Sequence, residues 1–399
     1  MAFGIGVGWI GGRIRGRIGR IGLVVAAALA LSGCYGHAFP VAQHFIYADG
    51  GTKVAAEAEV FVDPNGSFYP DDWCTWFGSR TQPCAKWHGP RRWKAHSLLA
   101  ETYREAKGDA QDGPAFRAHI ESDEQRQLQE LRDFGRAKKR IFILIHGYNN
   151  TVAEADPPFD AIKAKLDLRP DDGVLRFYWD GLSAKGIFGA KIWFNAVGYS
   201  QLAGSRGLRR VLDQFQDKEI YLISHSRGAS VILSALGNPV YAKTFRDKTY
   251  QAIEPWGNAY KDLLSPPAPA AGRNNRLHIL LMAAAVGRID FCDVSEQERL
   301  DQGQGCRKLR PLPEVKSFRY TINTGDPVLR KFFGLASRLN PTSFGLDPEV
   351  GRAINEENYG MMRQYFTDPP RLKHKFDGYV ADQTFARMLA DEGILRPGQ

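Results

Sequence analysis

Ser224-His225-Ser226-Arg227-Gly228 stands between the apolar run Glu219-Ile220-Tyr221-Leu222-Ile223 and the small-residue stretch Ala229-Ser230-Val231-Ile232-Leu233-Ser234-Ala235-Leu236. A short strand, a sharp turn carrying a serine and a helix lift a hydroxyl to the tip of the turn. There a base can reach it, which is the requirement for covalent acyl transfer. Such a turn is strained, and the helix must pass close to the strand, so small neighbours are needed on both sides of the serine. Gly228 meets that need. Ser224 stands where a glycine is usual, and is the next smallest polar choice. By itself the pattern also fits a Ser226 that merely caps the following helix. The flanking strand and helix favour the nucleophile.

The element that must sit beside this turn is a second apolar run, Ile141-Phe142-Ile143-Leu144-Ile145, ending in His146-Gly147-Tyr148-Asn149-Asn150. It reads as a buried parallel strand leading into a polar turn. A tight turn with a hydrogen-bonding imidazole would account for His146-Gly147 alone. Its place upstream of the serine turn argues for a share in the site.

Taken together, Ile143 to Asn150, then Phe177-Tyr178-Trp179-Asp180, then Leu222 to Gly228 resemble the bacterial α/β-hydrolases of the DUF900 type, over roughly residues 138 to 380. The resemblance implies an α/β-hydrolase fold, with a mostly parallel central sheet and helices on both faces, and a serine hydrolase chemistry without a named substrate. It also implies an oxyanion hole. One backbone N–H comes from the loop after the first strand and the other from the residue after the nucleophile, here Tyr148 and Arg227. The Arg227 side chain is expected to run along the helix into solvent, the alternative being a cation at the pocket mouth.

The fold uses the chain order Ser, then acid, then His, and only His278 and His374 follow Ser226. His278 opens the apolar run to Val286 and reads as structural, which leaves His374 in the polar stretch Arg371 to Phe376. For the acid, Ser317 to Thr324 reads as a strand running into Gly325-Asp326-Pro327, so Asp326 is preferred. Asp290 or Asp293, after the previous strand, is the alternative, and Asp326 could be only a turn former. No clear strand is visible between Asp326 and His374. The nine histidines are scattered, and no H-E-x-x-H, close Cys/His set, Walker or dinucleotide glycine pattern occurs. The reading therefore expects no metal and no cofactor.

Arg13, Arg15, Arg17 and Arg20 precede the uncharged core Ile21 to Leu31, which is too short to span a bilayer and suits a signal peptide. It ends in Leu31-Ser32-Gly33-Cys34, which looks like a bacterial lipobox with Cys34 as the lipidated residue. Tyr35 follows rather than Asp, so the expected location is the outer membrane, facing the periplasm, with the membrane as partner through the N-terminal lipid. The division expected is 1–33 signal peptide, 34–107 extension and 108–399 hydrolase domain. The four arginines account for nearly half of the net charge of +9. The remaining basic clusters are short and lack aromatic interleaving, which argues against nucleic acid.

Apart from Cys34, the cysteines fall into two near pairs, Cys74-Cys84 and Cys292-Cys306. In an exported protein they read as disulfides, each worth about 3 kcal/mol in the loop-entropy model, although three pairings and a zinc site compete. Trp73, Trp76, Trp87 and Trp93 surround the first pair, as the core of a small disulfide-tied cap or as a stacking surface for a sugar or acyl chain. Glu121 to Arg136 reads as a polar helix with Leu128, Leu131 and Phe134 on one face. Residues 181–198 are candidates for an apolar wall and 255–275 for a lid, with a buried helix or a passive loop as the alternatives. The expected function is ester or thioester hydrolysis on an acyl or lipid-like substrate. The rival is a non-catalytic lipoprotein that binds a lipid or protein, and the oligomeric state stays open.

Overall fold

Runs of branched and aromatic residues form the strands, because such side chains fill a pleated surface that is covered on both faces. In the computed structural model these are β1 Ala56–Val62, β2 Arg140–Ile145, β3 Asp172–Trp179, β4 Glu219–His225, β5 Arg276–Met282, β6 Val315–Ile322 and β7 Met362–Phe366. The structure describes residues 35–36, 56–71, 112–184, 188–237, 240–253, 264, 272–291, 314–332, 342–358 and 361–398. The seven strands make one sheet in the order β1-β3-β2-β4-β5-β6-β7. Every neighbouring pair is parallel. From β2 the chain first builds outward on one side and then, from β4, on the other. The order therefore reverses between β2 and β4, and loops leaving the carboxyl ends of strands at such a point diverge to open a crevice. Ile145 pairs with Ser224, so the His146 and Ser226 turns leave the sheet side by side.

Alternate residues of each strand feed two cores. Ile141, Ile143, Ile220 and Leu222 join helices α1 Asp112–Arg136, α3 Phe188–Leu202, α4 Gly228–Leu236 and α7 Pro348–Asn358 on one face. Phe142, Leu144, Tyr221 and Ile223 join α2 Val152–Lys165, α8 Phe376–Ala381 and α9 Gln383–Asp391 on the other. Helices α5 Lys243–Ile253 and α6 Pro327–Phe332 lie further along the chain, and α3 runs on through a π-helical stretch Ala203–Leu208 into a short helix Arg209–Leu212. The period of two along the strands is what lets one sheet bury two layers.

Three expectations are corrected by these elements. β7 supplies a strand between Asp326 and His374, pairing with β6 through Phe318↔Met362 to Ile322↔Phe366. Its sequence MRQYF buries only Met362 and Tyr365 and carries two polar residues between them, which hides it from a search for apolar runs. The segment around Val60, assigned to the extension, is the opposite edge strand, in register with β3 from Ala56↔Gly173 to Val62↔Trp179. The sheet therefore starts well before residue 108. Helix α1 begins at Asp112 and not at Glu121, and it buries Leu128 and Leu131. Cys34, Cys74, Cys84, Cys292 and Cys306, the tryptophan-rich segment and most of 255–275 lie outside the described residues.

Candidate active site

Ser226 follows β4 directly and has φ +53°, a left-handed conformation that costs a residue with a Cβ about 1 kcal/mol or more. The strain is held by the end of β5 and the loop after it: Ser226 N–H donates to the Met282 carbonyl at 2.8 Å, and the Ser226 carbonyl accepts from the Ala285 amide at 3.1 Å. Gly228 is obligatory for steric reasons. A Cβ there would lie 2.6 Å from the His146 carbonyl oxygen and 2.9 Å from that of Ile145. Ser224 is fully buried, and its hydroxyl has no hydrogen-bond partner among the described residues. A buried orphan hydroxyl costs about 1–3 kcal/mol, which a glycine would avoid.

Asp326 and His374 arrive on the loops after β6 and β7. Asp326 is the N-cap of α6, its Oδ1 accepting from the amides of Val328 at 2.9 Å and Leu329 at 3.0 Å. Gly325 lets the second loop come close, since a Cβ would meet the Pro370 carbonyl oxygen at 2.5 Å. Asn323 Nδ2 donates to the Leu372 carbonyl at 2.8 Å, pinning the stretch just ahead of His374. The outcome is a line of contacts: His374 Nε2 lies 2.8 Å from Ser226 Oγ and Nδ1 lies 2.8 Å from Asp326 Oδ2. Burial alone would raise the Asp326 carboxyl, but the hydrogen bond and charge of His374, the Leu329 amide and Tyr379 outweigh it and hold the group below its usual range.

Arg227 departs from the expectation of a solvent-directed side chain: it is fully buried. Its guanidinium forms a bidentate pair with Asp290, at 2.8 Å and 3.1 Å, and donates to Ser200 Oγ at 2.9 Å and the Ala285 carbonyl at 2.8 Å. Asp290 also accepts from Ser230 Oγ at 2.6 Å. Burial pulls the arginine down, and Asp290 pushes it back up. Asp290, the alternative candidate for the acid, is thus committed to Arg227, below the serine turn. Trp193 of α3 lies under both expected oxyanion residues, 5.8 Å from the Arg227 guanidinium and edge-on to Tyr148 at 5.0 Å. It is buried and forms a floor to these two residues rather than a pocket wall.

Above Ser226 opens a cleft of about 490 Å³, lined among the described residues by Tyr148, Asn149, Asn150, Pro157, Pro158 and Phe376 together with Ser226 and His374. Two buried imidazoles stand behind it. His146 accepts from the Trp179 amide at its Nε2, 3.1 Å, and directs Nδ1 at the Gly147 carbonyl, 2.7 Å. This fixes the neutral Nδ1–H tautomer, and burial pushes the group down to about 4. His225 stacks on Phe376 at 4.8 Å, with neither ring nitrogen hydrogen-bonded among the described residues. Burial, then the charge of His374, lowers it well below the usual range.

The structure thus brings Ser226, Asp326 and His374 into contact, with Tyr148 on the cleft wall and the Arg227 backbone in the serine turn. His278 is elsewhere, between Glu219 and Glu392. Tyr379, whose hydroxyl donates to Asp326 at 2.8 Å, was given no role; it closes the pattern H-x-F-x-G-Y that begins at His374 and fits the ending of the family, but only the helix shows that its hydroxyl turns inward. The comparison with curated proteins and the comparison with solved structures each found no match. Residues 121–253, from within α1 to the end of α5, match the family model described as alpha/beta hydrolase of unknown function (DUF900), and the parallel sheet covered by helices on both faces has the α/β-hydrolase fold that this match implies.

Proposed function

We propose that this protein is a serine hydrolase that cleaves a carboxylic ester or thioester through an acyl-serine intermediate. The observation that carries the reading is the left-handed Ser226, with its hydroxyl 2.8 Å from a histidine whose other nitrogen is 2.8 Å from a buried carboxylate. His374 Nε2 takes the Ser226 proton as Oγ bonds to the acyl carbon, and the carbonyl electron pair moves onto oxygen. The Tyr148 and Arg227 amides stabilise that oxyanion, each worth about 3 kcal/mol. The carbonyl re-forms, the bond to the leaving group breaks, and His374 donates its proton to the departing alkoxide or thiolate. A water, deprotonated by His374, then attacks the acyl-serine; collapse releases the acid and returns the proton to Ser226. Asp326 orients the ring and stabilises the imidazolium throughout.

The same reading places the enzyme on the bacterial envelope, tethered through lipid on Cys34, with an acyl-ester or lipid-like substrate. It is supported by the sequence Leu31-Ser32-Gly33-Cys34 behind an apolar core. Among the described residues no helix is long and apolar enough to cross a membrane. A Cys34→Ser variant is expected to leave the membrane fraction for the soluble one; unchanged sedimentation with membranes would remove the lipid anchor.

The activity is tested with a fluorophosphonate probe on the purified protein, wild type beside Ser226→Ala and His374→Ala. Labelling of the wild type that disappears in both variants is expected. An inert, folded wild type would sink the hydrolase reading. An ester series of increasing acyl length then defines the substrate.

A further inference from the structure

Asp326 has four hydrogen-bond donors around it. Two are the Val328 and Leu329 amides on Oδ1; the other two, His374 Nδ1 and the Tyr379 hydroxyl, share Oδ2 at 2.8 Å each. Asn323 Nδ2 donates to the same phenol oxygen at 2.8 Å. An N–H on the phenol oxygen occupies a lone pair, leaves the O–H pointed at the carboxylate and strengthens it as a donor. Tyr379 is buried on α8, and burial followed by the Asp326 charge raises it far above the usual phenol range. The O–H therefore stays protonated and a donor.

We propose that Tyr379 is a positioning residue of the hydrolytic site: by sharing Oδ2 with His374 it fixes the carboxylate and tempers its pull on the imidazole proton, and thereby sets the pH at which His374 acts as base. Its catalytic consequence rests on the serine hydrolase reading; its hydrogen-bond role does not. Among the described residues, the other titratable groups around the pair are few. His225 comes from β4, with its ring 5.0 Å from His374 and 5.6 Å from Tyr379, and burial keeps it neutral. Asp382, at the end of α8, adds a negative charge near Tyr379. Lys375 and Asp377 flank the site on the cleft rim.

Removing the phenol O–H leaves the carboxylate one donor short and more basic. It then holds the His374 proton more tightly and favours the imidazolium, so the acid limb of kcat/KM must move to higher pH. In Tyr379→Phe the limb is expected to rise by roughly half a pH unit, a fraction of what a charge-assisted hydrogen bond is worth, with KM unchanged within about twofold. The downfield proton resonance of His374 Nδ1–H moves further downfield in the same variant, which is read by NMR without any turnover. Asn323→Ser, which weakens the phenol as donor, shifts both in the same direction by less, and serves if Tyr379→Phe does not fold. A resonance and a limb that stay in place, or a limb that moves to lower pH, overturn the proposal even where the melting temperature falls, since Tyr379 would then only pack. A wild type inert to esters and probe, with the resonance still displaced in Tyr379→Phe, supports the positioning and overturns the hydrolase reading instead.

Discussion

His374 and His278 sit at opposite ends of the same sheet, and each meets a carboxylate and a serine hydroxyl. At the carboxyl ends of the strands, His374 has Asp326 on Nδ1 and Ser226 on Nε2. At the amino ends, His278 Nδ1 faces both Ser317 Oγ and Glu392, each at 2.9 Å, while Nε2 faces Glu219 at 3.1 Å. The residue types nearly coincide, but the arrangements differ in what a proton can do. The first imidazole has one nitrogen left for a hydroxyl on a strained turn above a cleft. The second has a carboxylate at each nitrogen, and a neutral ring can donate to only one of them. Its serine lies within β6, stacked into the sheet. Loops after the strands build a site; side chains along the strands build a latch between the sheet and the end of α9.

The largest expected effect breaks the two ends apart by activity. Ser226→Ala or His374→Ala should lower kcat toward an activated ester by about 10⁴-fold or more, because the members of such a unit act together. Ser317→Ala and His278→Gln should stay within a few-fold of wild type. Initial rates on all four variants check this; a comparable loss at the amino-terminal end would mean that the comparison is drawn at the wrong place.

Stability sharpens the contrast next. Arg227→Met leaves Asp290 buried without its partner and should cost about 3–5 kcal/mol, whereas Arg227→Met combined with Asp290→Leu should recover much of that loss. Urea midpoints of the two variants decide it. If the double variant is no better than the single one, the pair serves packing of the serine turn rather than charge compensation.

The two ends should also differ in acid. His146, at about 4, and His225, well below its usual range, are rings that the fold keeps neutral. In the unfolded chain they take up protons below about pH 6.5, so the unfolded state binds more protons and stability falls as pH drops. Each ring contributes a slope of about 1.4 kcal/mol per pH unit between pH 6.5 and its folded value. Denaturation at pH 7.5, 6 and 5 should show this slope, and His225→Leu should roughly halve it. A flat profile across that range would show that one or both rings charge within the folded protein.

Much of this was legible in the residue order. The runs Ile141–Ile145 and Glu219–Ile223 declare buried parallel strands, and Gly228 marks where a helix passes a backbone carbonyl. Asp326 and His374 could be picked because they follow the serine in order and stand in polar turns. What stayed hidden depends on contacts far apart in sequence. Arg227 looked like a surface arginine because its partner, Asp290, lies beyond α5 and β5. Strand β7 is short and interrupted by Arg363 and Gln364, with neither an apolar run nor an alternation to mark it, and β1 could be assigned to the sheet only once its pairing with β3 was known. Tyr379 was visible only as the last residue of H-x-F-x-G-Y, and its role was hidden because an aromatic residue on a short helix is ordinarily core.

The smallest effect concerns the latch alone. Burial would raise the Glu392 carboxyl, but the His278 and Ser317 hydrogen bonds and the Arg319 charge overcome it and hold the group below its usual range. A carboxyl depressed by folding contributes stability above its unfolded value near 4.5, and that contribution is lost as pH falls through the lower, folded value. Glu392→Gln should therefore cost about 1–2 kcal/mol at pH 7, with the deficit shrinking in acid as the wild-type carboxyl is itself neutralised. Activity at pH 7 should be untouched, because the latch lies at the amino ends of the strands and Ser226 at their carboxyl ends. Paired urea titrations of wild type and Glu392→Gln at pH 7 and pH 4 read the difference directly. A deficit of the same size at both pH values would assign the contribution of Glu392 to shape and not to charge, and the latch would then be packing rather than electrostatics.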